Sequence, residues 1–145
     1  MGSMTTTDAM SPAAEAWRML DKLARARRAR VVAVAAELDL SPAQATALWR
    51  LCPGDPLPMR DLAQALDCDN SSVTAIADRL EQQGLIRRRA AAHDRRLRML
   101  EVTPRGARLR SKLIGSLEAP PVALEAMTVA DQRLLCELLR RALGS

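Results

Sequence analysis

The spacing of apolar and polar positions predicts a largely helical chain that begins with one long helix. A serine and a proline at 11–12 supply a side-chain cap and a proline at the first helical position, and the apolar pattern behind them extends to about Leu38. The residues SPAQ at 41–44 have the serine and glutamine of a capping box, which predicts a second helix over about 42–51. The next segment, CPGDPLP at 52–58, is rich in proline and is expected to be a loop.

Two short amphipathic segments follow this loop and share one spacing. In each of them apolar residues recur at i, i+3, i+4 and i+7, which places them on one face of a helix. The members are Met59, Leu62, Ala63 and Leu66, and then Val73, Ile76, Ala77 and Leu80. The residues DCDN between the segments favour a turn and a helix cap at Asp69 or Asn70. This pattern indicates a helix-turn-helix, although a purely structural helical hairpin has the same pattern.

A short hairpin is predicted directly after the second of these helices. Gly84 ends the helix, and the segments LIRRR at 85–89 and RLRMLEV at 96–102 are typical of short strands. The residues AAAHD at 90–94 connect them, although they lack the Gly or Asn of a tight turn.

Two further helices are predicted at the C-terminal end, one capped by the Thr-Pro pair at 103–104 and one over about 128–143. Since a helix-turn-helix followed by a basic hairpin is a winged helix, the expected fold is mainly α (α+β), a winged helix-turn-helix with a short β-hairpin wing. We expect a single domain over 1–145, with the winged helix DNA-binding lobe at 42–103.

The composition agrees with a helical domain. The chain has 145 residues, of which 48% are hydrophobic and 27% are charged, and Trp17 and Trp49 are its only aromatic residues. A core without Tyr or Phe favours the packing of aliphatic helices. No apolar run approaches the roughly 18 to 20 residues that span a membrane, and residues 1–3 resemble a cloning scar before Met4. No signal-peptide core follows, so we expect a cytoplasmic protein without membrane contacts.

The positive charge is concentrated in one third of the chain. Residues 79–112 hold eleven Lys and Arg against three acids, a net charge of +8, so that the rest of the chain sums to −3 within the total of +5. This asymmetry is typical of a surface that binds a polyanion. The segment RRRAAAHDRRLR at 87–98 is the densest part. On its own it is compatible with a solvated face or a disordered tail, but its position predicts two strands and a wing tip.

The second helix of the pair has the features of a recognition helix. Opposite its apolar face lie Ser71, Ala75, Asp78 and Gln82. Short and hydroxyl side chains at the N-terminal end let the backbone approach base edges in the major groove. The alternative is that the serines simply occupy a first helical turn, where they are common. The predicted DNA contacts of this helix are Asn70, Ser71, Ser72, Thr74, Ala75 and Arg79.

The wing is predicted to place arginine in the minor groove, where narrow A·T tracts concentrate negative potential. Arg95 and Arg96 are the candidates for insertion, and Asp94 fits as a brace that holds a wing arginine in place. His93 contacts phosphate or is merely solvated, because it has neither metal partners nor a nucleophile beside it. The predicted wing contacts are Arg87, Arg89, His93, Asp94, Arg95 and Arg96.

Residues 69–109 resemble the MarR family of bacterial transcription regulators. The resemblance lies in D-R-L-E-x-x-G-L-I at 78–86, the Asp-x-Arg of the wing at 94–96, and L-x-V-T-P-x-G at 100–106. The segments LDLSPAQATALWRL and MRDLAQAL also look like the second and third helices of that family, which extends the similarity back to Leu38.

The resemblance implies a homodimer held by dimerisation helices at 11–38 and 104–145. It would bind double-stranded DNA at a pseudo-palindromic operator, usually as a repressor, with Ser71, Ser72 and Thr74 as the groove-reading positions. Many members release DNA when a small aromatic or phenolic effector binds. The corresponding pocket would lie around Trp17, Leu20 and Trp49, but this chain lacks the Tyr and Phe common there, and core packing is the alternative for both tryptophans.

Other functions fit the sequence less well. Cys52, Cys68 and Cys136 have no paired spacing, so neither a disulfide framework nor a metal site is expected. A redox-sensing repressor that uses Cys68, in the turn before the recognition helix, is the alternative function. An enzyme is disfavoured because the chain has one His, no phosphate-binding Gly loop and no paired carboxylates, and no cofactor is implied. An RNA-binding or membrane-surface module would not need the helix-turn-helix.

Overall fold

The computed structural model describes residues 11–144, so the predicted scar at 1–3 lies outside the described residues. Its helices and strands follow one another as α1 (Pro12–Glu37), α2 (Pro42–Arg50), β1 (Leu57–Pro58), α3 (Met59–Ala65), α4 (Asn70–Gln82), β2 (Ile86–Ala90), β3 (Arg98–Val102), α5 (Pro104–Glu118), α6 (Val122–Glu125) and α7 (Val129–Leu143). The fold is mainly helical with one small antiparallel sheet, which confirms the predicted winged helix-turn-helix.

Helices α1, α2, α4, α5 and α7 each begin after a residue whose side chain caps them, whereas α3 and α6 begin after a proline without a side-chain cap. At the start of α2, Ser41 Oγ accepts a hydrogen bond from the Gln44 N–H at 3.1 Å, and Gln44 Oε1 accepts one from the Ser41 N–H at 2.8 Å. This reciprocal pair satisfies two helix-terminal N–H groups and confirms the predicted capping box. Ser11 caps α1 and Thr103 caps α5 through one hydrogen bond each, accepted by the hydroxyl oxygen from the N–H three residues on and without a reciprocal bond.

The sheet contains one strand more than the sequence predicted. Leu57 and Pro58 pair with β3 opposite Leu100 and Met99, and the strand order is β1-β3-β2. The prediction of a loop over 52–58 is therefore wrong for its last two residues. Pro58 is tolerated there because β1 lies at the edge of the sheet, where a missing N–H leaves no ladder partner unsatisfied. The short helix α6 was also not predicted.

The wing is anchored to α5 through a close backbone approach. Thr103 Oγ1 donates a hydrogen bond to the Gly84 carbonyl oxygen at 2.6 Å and accepts one from the Gly106 N–H at 3.0 Å. A Cβ at Gly106 would lie 1.9 Å from the Leu85 carbonyl oxygen. Glycine is required at this position because any side chain would push α5 away from the start of β2.

A single aliphatic cluster holds the helix-turn-helix and the sheet together. Leu48, Leu62, Leu80 and Leu100, from α2, α3, α4 and β3, are each 0% exposed. Residues from the C-terminal half of α1 and from α5 complete this cluster. The predicted apolar stripes of α3 and α4 therefore form the inner faces of the lobe, as their i, i+3, i+4, i+7 spacing indicated.

The two ends of the described chain differ from this lobe. No residue of α7 is buried, and the N-terminal half of α1 carries large apolar side chains in solvent. The exposed large apolar residues of these ends are Trp17, Met19, Leu20, Leu23, Val122, Val129, Leu134, Leu138 and Leu143. Within residues 11–144 no helix is long and apolar enough to cross a membrane.

Candidate nucleic-acid interface

The first turn of α4 is fixed by Asp69. Its carboxylate accepts hydrogen bonds from Ser71 Oγ and from the Ser72 N–H, both at 2.7 Å. These two donors, the Ser71 hydroxyl first, lower the pKa of Asp69 to about 2. The sequence left the cap open between Asp69 and Asn70, and the structure assigns it to Asp69. An ionised cap at neutral pH holds the start of α4 in one conformation.

The predicted contact residues of α4 form one exposed strip. Val73, Ala77 and Leu80 are buried on the opposite face. The strip consists of Asn70, Ser71, Ser72, Thr74, Ala75 and Arg79. Thr74 Oγ1 donates to the Asn70 carbonyl oxygen at 2.7 Å, as Ser71 Oγ donates to Asp69. Each hydroxyl donates its hydrogen to an acceptor at the start of α4, so the lone pairs of its oxygen remain able to accept hydrogen bonds from outside.

The tip of the wing is a turn closed by Asp94. The Ala91 N–H donates to the Leu97 carbonyl oxygen at 3.0 Å, and Asp94 Oδ1 accepts a hydrogen bond from the Arg96 N–H at 2.9 Å. Asp94 therefore braces Arg96 through the backbone rather than through its guanidinium, in the manner of an Asx turn. His93, Arg95 and Arg96 are exposed beside it.

Arg87 and Arg89 are held by a carboxylate on the neighbouring strand. Arg87 Nε lies 2.9 Å and Arg89 Nε lies 3.5 Å from Glu101 Oε2. The hydrogen bond from Arg87 lowers the pKa of Glu101, and the same bond raises the pKa of Arg87. Because side chains alternate along a strand, both arginines lie on the face of the sheet opposite Arg88, which contacts α4. The structure does not bring them together with the recognition helix.

A cleft joins the recognition helix to the wing tip. Its volume is about 290 Å³, and Asn70 and Thr74 line it from α4 while Arg96 lines it from the wing. Arg60 of α3 and Arg98 of β3 also line this cleft. Arg60 was not predicted, and Arg98 was predicted only as part of the arginine run at 87–98. Arg98 stood in the arginine run, so its charge was visible. For Arg60 no pattern along the chain indicated that α3 faces the wing.

Arg88, the middle arginine of β2, was also predicted only as part of the arginine run and not as a separate contact. Its Nη1 lies 2.6 Å from Asp78 Oδ1 and 2.8 Å from Glu81 Oε2, and its Nη2 donates to the Thr74 carbonyl oxygen at 3.3 Å. All three partners belong to α4. The alternation of β2 was the available signal, since Arg88 falls on the same face as the buried Ile86.

The predicted effector residues are not enclosed together in the described chain. Trp17 is 71% exposed and Leu20 is also exposed. Trp49 is half-buried, and the guanidinium carbons of Arg27 and Arg50 lie 5.9 and 5.5 Å from its ring centre. These are cation–π distances. A pocket that uses all three predicted residues stays a prediction.

The cysteines occupy separate places. Cys68 is half-buried in the turn between α3 and α4, where its N–H donates to the Ala63 carbonyl oxygen at 3.1 Å. Cys52 and Cys136 are exposed. Within the part of the chain that the structure describes, no group of three or more His, Cys, Asp or Glu residues is arranged to hold a metal ion.

The fold and this surface define the chain as a winged helix-turn-helix protein. The sequence model of the MarR family matches residues 38–97, which span α2 to the tip of the wing. The organic hydroperoxide resistance transcriptional regulator of Bacillus subtilis strain 168 is 31% identical over 78 residues, 54% of this chain and 53% of that protein. The match thus spans about half the length of this relative.

Solved structures show the same fold over almost the whole chain. A MarR family protein from Bacillus stearothermophilus superposes with a TM-score of 0.80 at 21% identity, over 91% of this chain and 93% of that one. CouR from Rhodococcus jostii RHA1, bound to p-coumaroyl-CoA, gives 0.70 at 19% identity over 91% and 94%. A MepR mutant from S. aureus, bound to an oligodeoxyribonucleotide, gives 0.65 at 19% identity over 88% and 94%.

The family model, the sequence relative and the shared fold agree with the motifs of the helix exit, the wing and the start of α5. Residues 38–97 of the chain match the MarR family model, and the fold is shared with a MarR family protein over almost the whole chain.

Proposed function

We propose that this protein is a DNA-binding transcriptional regulator that acts as a homodimeric repressor at a pseudo-palindromic operator. The observation that carries the proposal is the cleft in which the exposed strip of α4 meets Arg96 of the wing. The net charge of +8 over residues 79–112 adds the attraction to phosphate that any duplex binder needs. The MepR structure, which contains an oligodeoxyribonucleotide, supports this use of the fold.

The two parts of the interface would read the duplex differently. The N-terminal end of α4 would enter the major groove, where the acceptor lone pairs of Ser71 and Thr74 suit the amino groups of adenine and cytosine. The Ala75 methyl group suits the methyl group of thymine. Arg95 or Arg96 would enter the minor groove, where a cation is favoured at narrow A·T tracts. His93 would stay close to the phosphates.

The tethered arginines have a more limited part in this proposal. Arg87 and Arg89 share Glu101, so that part of their charge is neutralised before any DNA arrives. Arg60 and Arg98 line the cleft and extend the phosphate-contacting surface. Arg60 also lies 3.3 Å from the Asp61 carboxylate, whereas Arg95, Arg96 and Arg98 form no ion pair within residues 11–144. The unpaired positive charge of the wing therefore lies at its tip and beside the cleft.

A second copy of the chain would cover the exposed apolar side chains of the terminal helices. Several large apolar side chains of these helices are exposed, and contiguous exposed apolar patches mark interaction surfaces. A two-fold dimer would present two winged helix lobes, which matches operators whose half-sites lie about one helical turn apart. One domain over 1–145, with dimerisation helices around a lobe at 42–103, and a cytoplasmic location belong to the same proposal.

We further propose release of DNA by a small aromatic or phenolic effector. Trp49 with its two flanking arginines offers an aromatic face and positive charge for a carboxylate or phosphate. Trp17 and Leu20 would close over such a ligand only when the dimer positions α1. The CouR structure, which contains p-coumaroyl-CoA, is an example of this fold with an aromatic acyl ligand.

The second candidate function is redox sensing through Cys68. Its half-buried position directly before the Asp69 cap favours this reading, because an oxidised sulfur would crowd the turn that sets the start of α4. Operator binding before and after peroxide treatment, in the wild type and in Cys68→Ser, tests it. Equal binding in all four samples excludes the redox function.

The DNA-binding function is tested by salt titration of binding to a duplex operator and to a random duplex of equal length. Affinity should fall steeply as salt rises on both duplexes, because several phosphates lose their counterions per dimer. Ser72→Ala should reduce the preference for the operator more than it reduces binding to the random duplex. A flat salt response, or no binding at low salt, contradicts the proposal.

A further inference from the structure

Arg88 occupies a different place from the other arginines of the wing. Its side chain is 22% exposed, whereas those of Arg87 and Arg89 are 66% and 56% exposed. It lies opposite Leu100 in the register of β2 with β3, on the face of the sheet that packs against the lobe. A charged residue so placed requires polar partners, and each of its contacts described above is with α4.

The contacts of Arg88 reach three successive parts of the recognition helix. We define the Arg88 clasp as Arg88 together with the Asp78 and Glu81 carboxylates and the Thr74 carbonyl oxygen. The backbone also takes part, since the Arg88 N–H donates to Glu81 Oε1 at 3.0 Å while Nη1 donates to Glu81 Oε2 at 2.8 Å. Glu81 thus holds both the strand and the side chain.

Arginine is suited to this geometry because its guanidinium is planar and carries donors in fixed directions. One end of the group faces two carboxylates while the other reaches the Thr74 carbonyl oxygen. An ammonium group has no such fork and cannot hold three acceptors in one plane. The clasp therefore fixes the orientation of β2 relative to α4 and does more than balance charge.

We infer that Arg88 is a positioning residue that holds the wing at a fixed angle to the recognition helix, so that α4 and Arg96 engage the major and minor grooves together. This inference rests on the proposed DNA-binding function. Thr74 and Asp78 lie in the part of α4 that bears the exposed strip, while β2 leads directly into the wing tip. The clasp is a polar side-chain link between the two elements that would contact DNA, beside the apolar packing of the core.

The first experiment measures the clasp without DNA. Hydrogen exchange is compared in the wild type, Arg88→Met and Arg108→Met, the last being a matched loss of one exposed arginine from α5. The Ala91 and Leu97 amides of the wing should exchange about tenfold faster in Arg88→Met only, because the wing opens more often when it is not fastened to α4. Equal exchange rates of these amides in Arg88→Met and Arg108→Met would show that Arg88 does not hold the wing to α4.

The second experiment is a double-mutant cycle on duplex DNA. In the wild type and in Arg108→Met, Arg96→Ala should weaken operator binding by about 5- to 150-fold. In Arg88→Met the same Arg96→Ala change should weaken binding by less than about threefold, because a wing out of register gains little from its arginine. An unchanged effect of Arg96→Ala in the Arg88→Met background overturns the inference. If Arg88 had a merely structural role, Arg88→Met would lower affinity but leave the effect of Arg96→Ala unchanged.

Two further variants keep the test decisive if Arg88→Met does not fold. Arg88→Lys retains the charge and Asp78→Asn retains a polar group, and both should show a reduced effect of Arg96→Ala compared with the wild type. If Arg96→Ala weakened binding as much in the Arg88→Lys background as in the wild type, guanidinium geometry would not be what holds the wing. If the wild type binds no duplex at all, the proposed function is wrong. The hydrogen-exchange experiment still tests the clasp, because it uses no DNA.

Discussion

The winged helix lobe and the terminal helices differ in how far their apolar side chains are buried. In the lobe, Leu48, Leu62, Leu80 and Leu100 are fully buried by neighbours from the same chain. In α7 no side chain is buried, and Leu138 and Leu143 are 49% and 78% exposed. The lobe is complete within one chain, while α7 and the first half of α1 need another surface. The proposed DNA contacts and the proposed dimer contacts therefore lie in separate parts of the chain.

The largest expected effect comes from a cavity in the lobe. Leu80→Ala removes a side chain that is 0% exposed and should lower the free energy of unfolding by about 2 to 5 kcal/mol. Denaturant unfolding followed by circular dichroism measures it. The loss should be the same at low and high protein concentration. A change below about 1 kcal/mol would mean that the lobe core is not packed as described.

A smaller effect is expected in the terminal helices, and it should depend on protein concentration. Leu138→Ala removes a half-exposed side chain, and by symmetry a dimer loses two of them, which gives about 2 to 3 kcal/mol of association free energy. Sedimentation across a concentration series measures the dissociation constant. The free energy of unfolding of the monomer should change by less than the free energy of association, because only about half of the Leu138 side chain is buried within its own chain. A dissociation constant equal to that of the wild type would remove α7 from the interface.

Replacement of the wing arginine should weaken DNA binding and leave the free energies of unfolding and of dimer association unchanged. Arg96→Ala should weaken operator binding by about 1 to 3 kcal/mol, the range for a specific arginine contact. Arg95→Ala, measured beside it by fluorescence anisotropy, decides which arginine enters the minor groove. The wing assignment is wrong if neither substitution changes the affinity.

The smallest expected effect is the pH dependence of the first turn of α4. Because the pKa of Asp69 in the folded chain is about 2 and its ordinary value is 3.8, the carboxylate stabilises the fold above about pH 4. This contribution is lost as the pH falls from about 4 towards 2. Asp69→Asn should show a flatter pH dependence of unfolding in that window. Parallel curves for the variant and the wild type would contradict the hydrogen bonds to Ser71 and Ser72.

The sequence was most informative where the controlling interaction is local. The caps at Ser11, Ser41 and Thr103 involve partners three residues away, so the starts of α1, α2 and α5 were predicted correctly. The wing was found because two basic strands follow Gly84, whose φ of +69° matches the end of a helix. These features need no knowledge of what packs against them.

The features that were missed depend on partners far along the chain. Leu57 pairs with Leu100, and no pattern in the proline-rich segment at 52–58 predicts a strand. Arg87 and Arg89 were chosen by charge, but Glu101 on the neighbouring strand holds both of them. Arg88 was not singled out, because the alternation along a strand predicts the face on which a residue lies. It does not predict that the acidic residues of α4 pack against that face.

The most direct test of the central claim is selection of bound DNA by the wild-type protein from a random duplex pool. We expect an enriched palindrome whose half-sites are centred about 10 base pairs apart, because the two winged helix lobes of the proposed dimer would be related by a two-fold axis. Absence of an enriched sequence, or a single half-site without a symmetric partner, would contradict it.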